Sequence, residues 1–274
     1  MLKAVSRRAW NALAGLALCT SFGLAGCGSS DDNTNYVEQP VEVLYNRALD
    51  ELGAQEYKEA AKGFEEVDRQ HPYSVWATKA QIMAAFAYYQ SNKYDEAIIA
   101  LDRFIQLHPG HRDIPYAYYL KALCYYEQIS DVGRDQRMTQ QALDALAEVV
   151  KRFPESPYAR DSRLKVELAI DHLAGKEMAV GRFYQQNQQY VGAINRYRVV
   201  IERYQTTTHV PEALHRLVES YLSLGVKSEA QEAAAVLGYN FPGSEWYQDS
   251  YYLMTGEGGP APSDERSGWF FGLF

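Results

Sequence analysis

The sequence predicts an all-α protein, a superhelix of five antiparallel helix pairs (an α-solenoid). Three observations predict it. Apolar residues recur at helical spacing in one segment after another. Those segments repeat along the chain with a period near 37 residues. No stretch alternates apolar and polar residues over the length of a strand.

The repeat is clearest in the second helix of each pair. In KYDEAIIALDRFIQLHP (93–109), Ala97, Leu101, Phe104 and Ile105 fall on one face, and Pro109 ends the helix. Ile98 and Ile99 are apolar too, so a second face needs cover that one helix cannot supply. EYKEAAKGFEEVDRQHP (56–72) has the same layout through Tyr57, Ala60, Phe64, Val67 and Pro72. TQQALDALAEVVKRFP (139–154), QYVGAINRYRVVIERYQ (189–205) and VKSEAQEAAAVLGYNFP (226–242) continue it, with Gln205 replacing the proline once. Upstream of each unit lies a first helix with a small residue three places before an aromatic one. The pairs are Ala85/Tyr88, Ala122/Tyr125, Gly181/Tyr184 and, with a larger residue, Val218/Tyr221; in the first unit Ala48 is followed by Glu51. Small residues let helices cross closely, and stacking buries faces that a lone hairpin would leave wet. This pattern resembles the tetratricopeptide repeat. It covers about 41–242.

Two interruptions mark the organisation. A polar insertion, ISDVGRDQRM (129–138), lies inside the third unit. SPYARDSRLKVELAIDHLAGKEMAVGRFYQQ (156–186) reads as one helix of about eight turns, with Ser156 as N-cap and Pro157 at the first position. The chain therefore divides into repeats 1–3 (41–155) and repeats 4–5 with a bridging and a final helix (156–255).

Residues 1–26 read as an export signal: Lys3, Arg7 and Arg8, an apolar run, then LAGC at 24–27. LAGC resembles the lipobox of bacterial lipoproteins. That resemblance implies that Cys27 becomes the first mature residue and carries a diacylglyceryl group and an N-acyl chain, anchors that hold stably when two or more chains insert. Residues 27–40 read as a flexible tether. Gly28 and Ser29 after the cysteine resemble an outer-membrane sorting signal. Loss of the signal removes three of 27 basic residues and none of 35 acidic ones, so the formal charge falls from −8 to −11. A chain this acidic repels nucleic acid and anionic headgroups. Cys19 leaves with the signal, so Cys124 has no partner for an internal disulfide and reads as a small core residue.

No catalytic motif of the P-loop, G-x-S-x-G or H-E-x-x-H type is present. The histidines of HPGH (108–111) flank a turn with no third ligand near, and GEGG (256–259) follows no strand. The chain reads as a non-enzyme without metal or cofactor. The inner face of the first helices reads as an aromatic groove, with Tyr45, Phe86, Tyr89, Tyr116, Tyr119 and Tyr126 as its lining. It lacks the Lys, Arg and Asn set of tetratricopeptide domains that clamp a chaperone's terminal carboxylate; only Lys79 and Asn46 come close. Residues 256–274 read as a disordered tail ending in SGWFFGLF (267–274), taken as a docking segment for a partner, with folding onto the last repeat as the alternative.

A lipobox before five degenerate repeats resembles the BamD family of lipoproteins from the outer-membrane β-barrel assembly machinery. AYYQSNKYDEAIIALDRFIQLHP (87–109) is similar to the family's aromatic helix and the D-R-F-I segment after it, and GAINRYRVVIERYQ (192–205) to its N-R helix. The resemblance implies a lipid-anchored scaffold on the periplasmic face of the outer membrane. It would bind BamA, alongside the machinery's other lipoproteins, through Arg196 and Asn195. Its aromatic groove would receive the C-terminal segments of unfolded barrel precursors. The competing readings are a repeat-type adaptor for peptidoglycan hydrolases and a solenoid-bearing enzyme.

Overall fold

The structure, a computed structural model, describes residues 38–256. From Gln39 onward they belong to one compact unit. The signal segment, Cys27 and most of the tether lie outside the described residues, as does the aromatic tail. Every regular element among the described residues is an α-helix. Five consecutive pairs are α1 (Val41–Gly53) with α2 (Tyr57–Gln70), α3 (Val75–Gln90) with α4 (Tyr94–Leu107), α5 (Ile114–Tyr126) with α6 (Arg137–Arg152), α7 (Pro157–Gln186) with α8 (Tyr190–Arg203), and α9 (Val210–Ser223) with α10 (Lys227–Asn240). A final helix, α11 (Glu245–Thr255), closes the series.

The repeat positions read from the sequence are the core. Ala60, Ala97, Ala142, Ala193 and Ala230 are each 0% exposed. So are Phe64, Leu101, Leu146, Tyr197 and Ala234 one turn on, and Val67, Phe104, Val149, Val200 and Leu237 after them. The small residues of the first helices (Ala48, Ala85, Ala122, Gly181 and Val218) are buried as well. Across each pair the two residues trade size: Ala48 with Phe64, Ala85 with Leu101, Ala122 with Leu146, Gly181 with Tyr197, Val218 with Ala234. The largest side chain meets the smallest. A Cβ built on Gly181 would lie 2.4 Å from Cε1 of Tyr197. The pairs are therefore matched in size within themselves, as close-packed interiors require.

The turns within pairs share one device. Gln55, Asn92, Gln188 and Gly225 have φ of 63°, 58°, 59° and 78°. The left-handed residue reverses the chain, so that the next amide bonds back into the first helix, as Lys93 N does to Tyr88 O and Gln189 N to Tyr184 O. The third pair has the insertion instead, and its loop is 127–136 because Arg137 and Met138 are already helical. His172 and Lys176 of α7 clasp that loop through the carbonyls of Ser130 and Gly133.

The long helix runs 30 residues as the sequence predicts, about 45 Å of rise. Ser156 occupies the N-cap position and Pro157 follows, but the serine hydroxyl makes no capping bond. Tyr158 and Val166 of its first half pack on the core of the third pair. Ala174 and Met178 of its second half belong to the core of the last two pairs. Leu164 and Leu168, either side of Val166, are 62% and 58% exposed.

Successive first helices touch one another, α1 with α3, α3 with α5, α5 with α7, and α9 with α11, whereas no two successive second helices approach as extensively. Close approach on one side only bends the stack, so the first helices line its inner face.

Candidate functional site

The inner face of pairs two to four carries a wall of aromatic side chains in two groups, one around Tyr89 and one around Tyr158. Tyr119 of α5 stacks on Tyr158 of α7 with ring centres 5.1 Å apart, and Tyr116 lies 5.5 Å from the same ring. Tyr89 of α3 stands 5.9 Å from Tyr94, and its hydroxyl donates to Glu127 Oε1 at 3.2 Å. Lys165 Nζ sits 5.6 Å over the ring of Tyr126 and pairs with Asp161. Asp161 accepts in turn from the Tyr119 hydroxyl at 2.5 Å. Phe86 is half-buried against the core of the second and third pairs. Burial, then the neighbouring Glu127, pushes the Tyr89 hydroxyl up to about 12, and burial with Tyr158 nearby does the same for Tyr116. Burial and Asp161 raise Tyr119 as well. These hydroxyls stay protonated; those of Tyr89 and Tyr119 spend their single O–H on Glu127 and Asp161, which fixes the two rings and leaves the oxygens as acceptors. Such a wall suits an extended peptide with aromatic side chains.

Five of the six lining residues read from the sequence come together here or at its edge. Tyr45 does not. It is 8% exposed, with its ring 5.4 Å from Phe64 and 4.9 Å from Trp76, so it serves the core of the first pair. Tyr158, Asp161 and Lys165 were not picked out by sequence reasoning. The repeat could have found Tyr158, since Trp76 and Trp246 also stand two residues after a serine at the helix N-cap position.

Arg196 lies on α8 with 43% of its side chain exposed, and its Nη1 meets Glu177 Oε2 of α7 at 3.1 Å. Asn195 beside it is exposed. Glu177 holds one edge of the guanidinium and leaves part of its five-donor fork in solvent, a geometry open to a second carboxylate. Next to this pair, α7, α9 and α11 share a polar network that periodicity gives no sign of. Arg182 bonds Glu212 through two contacts of 2.9 and 3.0 Å, and Arg216 bonds Glu219 at 2.8 Å. Gln185 donates to Glu219 at 2.9 Å, and His215 pairs with Ser250 Oγ at 2.8 Å. Burial alone would raise the Glu219 carboxyl; the hydrogen bonds from His215, Arg216 and Gln185 outweigh it and hold it down at about 2. Cys124 is fully buried, and burial pushes its thiol up to about 12. Among the described residues no cluster of His, Cys, Asp and Glu could hold a metal ion.

Fold and site together define a tetratricopeptide-type repeat protein that presents an aromatic inner face and an ion-paired second half. The family profile described as YfiO, outer membrane lipoprotein, matches residues 37–237. The outer membrane protein assembly factor BamD of Caulobacter vibrioides is 51% identical over 88% of this chain and 80% of that protein. BamD of Rickettsia prowazekii is 47% identical (84% and 92% covered), and BamD of Neisseria meningitidis serogroup A is 35% identical (84% and 92%). The chain belongs to this family of outer-membrane lipoproteins. Similar solved structures include the TPR2AB domain–pHSP90 complex of yeast Sti1, at 13% identity and TM-score 0.40 over 78% of this chain and 81% of that one. Another is a tetratricopeptide protein of Thermus thermophilus, at 17% identity and TM-score 0.36 over 78% and 98%.

Proposed function

We propose that this protein is an outer-membrane protein assembly factor, a scaffold without chemistry of its own, anchored by acyl chains on Cys27 to the periplasmic face of the outer membrane. The observation that carries the reading is the 51% identity to an assembly factor BamD across 88% of the chain. In this reading the aromatic wall of Phe86, Tyr89, Tyr116, Tyr119 and Tyr126 receives the C-terminal segments of unfolded barrel precursors. Arg196 and Asn195 face BamA. The arginine supports that role physically: it is half-exposed and already oriented by Glu177, so a carboxylate from a partner meets a fixed fork.

One experiment tests the whole reading. The chain is isolated from solubilised outer membranes and its partners are identified by mass. BamA and its companion lipoproteins are expected; recovery of a peptidoglycan hydrolase without BamA would overturn it. Two variants resolve the parts. Arg196→Glu brings a second carboxylate to Glu177 and is expected to weaken BamA capture, and unchanged affinity would remove Arg196 from the contact. A photo-crosslinker at position 86 or 119 is expected to capture a peptide ending in an aromatic residue, and no adduct at either position would sink the groove assignment.

A further inference from the structure

The last helix is built as the first helix of a sixth pair. FPGSEWYQDSYYLM (241–254) has the layout of HPYSVWATKAQIMA (71–84). In each, the N-cap serine (Ser244 or Ser74) accepts the amide three residues on, from Tyr247 or Ala77. The side of α11 turned to the preceding pair is packed as in α3: Tyr247 is 6% and Ser250 0% exposed, against 1% for Ala77 and 0% for Ala80. The other side differs. In α3, Ile82 is 7% exposed because Ala97, Leu101 and Phe104 of α4 share its cluster. At the equivalent place in α11, Tyr252 is 58% exposed, and Leu253 beside it is 45% exposed. Gly256, with φ of 75°, then stops α11 in a left-handed cap, and the described residues end without a second helix for this pair.

The chain itself continues. Residues 257–268 are mostly small and polar, and after them come Trp269, Phe270, Phe271, Leu273 and Phe274. Twelve residues reach up to about 40 Å, more than twice the roughly 17 Å rise of the 11-residue α11. Tethered this way, the aromatic end meets α11 at an effective concentration on the order of millimolar, ahead of any free competitor of similar chemistry. We propose that residues 269–274 seat on the open side of α11, against Tyr252 and Leu253, in the place a second helix fills in the other pairs. The chain thereby caps its own last repeat, as terminal repeats of solenoids require.

The test replaces Tyr252 with the photo-crosslinker p-benzoylphenylalanine in the full chain, in membranes. Illumination is expected to leave the protein at monomer mass, with digestion yielding position 252 joined to the peptide containing 269–274. A link to a second copy, to another protein or to lipid, or no link to the tail, would overturn the proposal. A chain ending at residue 268 supplies the second readout. Its α11 amides are expected to exchange hydrogen at least tenfold faster than in the full chain, while those of α1 to α9 are unchanged. Equal exchange in α11 would refute the capping role. Neither readout depends on BamA.

Discussion

Gly181→Ala tests the size trade inside the pairs most directly. Alanine favours a helix interior over glycine by about 1 kcal/mol, so at an open site the change would stabilise α7. Here the added Cβ falls 2.4 Å from Cε1 and 2.9 Å from Cδ1 and Cζ of Tyr197. That ring is 0% exposed and its hydroxyl donates to Gln185 Oε1 at 2.7 Å, so it can neither tilt freely nor withdraw. Overpacking costs about 1–3 kcal/mol, and a strained or broken Tyr197 bond adds about 1 kcal/mol. The net expectation is a loss of about 1–3 kcal/mol. For a domain of this size that is about 2–4 °C in Tm per kcal/mol. Thermal unfolding followed by circular dichroism measures it, with Gly53→Ala as control, since nothing lies within 4 Å of a Cβ there. Adding Tyr197→Leu recreates the alanine–leucine match of the second and third pairs and is expected to recover most of the loss, as a positive coupling in the double-mutant cycle. A Gly181→Ala protein as stable as the parent, or a double variant worse than the two single losses added, would refute the reasoning.

Other outcomes follow from the same structure. Glu219 holds its carboxyl at about 2 against an ordinary 4.5, so its contribution is full above about pH 4.5 and disappears as pH falls towards 2. Glu219→Gln should lower Tm at neutral pH, with the gap to the parent closing between those values; a gap that widens on acidification would contradict the assignment. Cys124, buried with its thiol raised to about 12, should resist a thiol reagent at pH 8 until denaturant unfolds the chain, and rapid labelling of the native protein at that position would be contrary. Tyr119→Phe removes the hydroxyl that donates to Asp161 and should cost about 0.5–1.5 kcal/mol in denaturant unfolding. Gln188→Gly relieves a left-handed backbone at φ of 59° and should be neutral to stabilising by about 1 kcal/mol.

Most of the architecture was legible because the repeat fixes which positions are buried. Ala97, Leu101 and Phe104 set the register, and their counterparts in every other pair are sealed from solvent. The long helix was readable from Ser156, Pro157 and the absence of any further proline up to Gln186. The aromatic wall was only partly legible. Periodicity says which face of a helix points inward, but not whether a neighbouring ring covers the residue there. Tyr45 meets Trp76 and is buried, whereas Tyr89 rests on the core of the second and third pairs and on Tyr94 yet stays part-exposed. The Arg182–Glu212 and Arg216–Glu219 bonds were invisible for a different reason: charged residues on amphipathic helices look alike whether they face water or each other.

The matched sizes within pairs bear on how the chain avoids folding wrongly. Repeat proteins are prone to join the right surfaces in the wrong order while they fold. In the first three pairs an exchange of partners would set alanine against phenylalanine or leucine again, and little would resist it. In the last two, an exchange would force Val218 onto Tyr197 and leave Gly181 facing Ala234 across a void. Shape therefore disfavours a wrong pairing in the C-terminal part, whereas the N-terminal hairpins have no such safeguard.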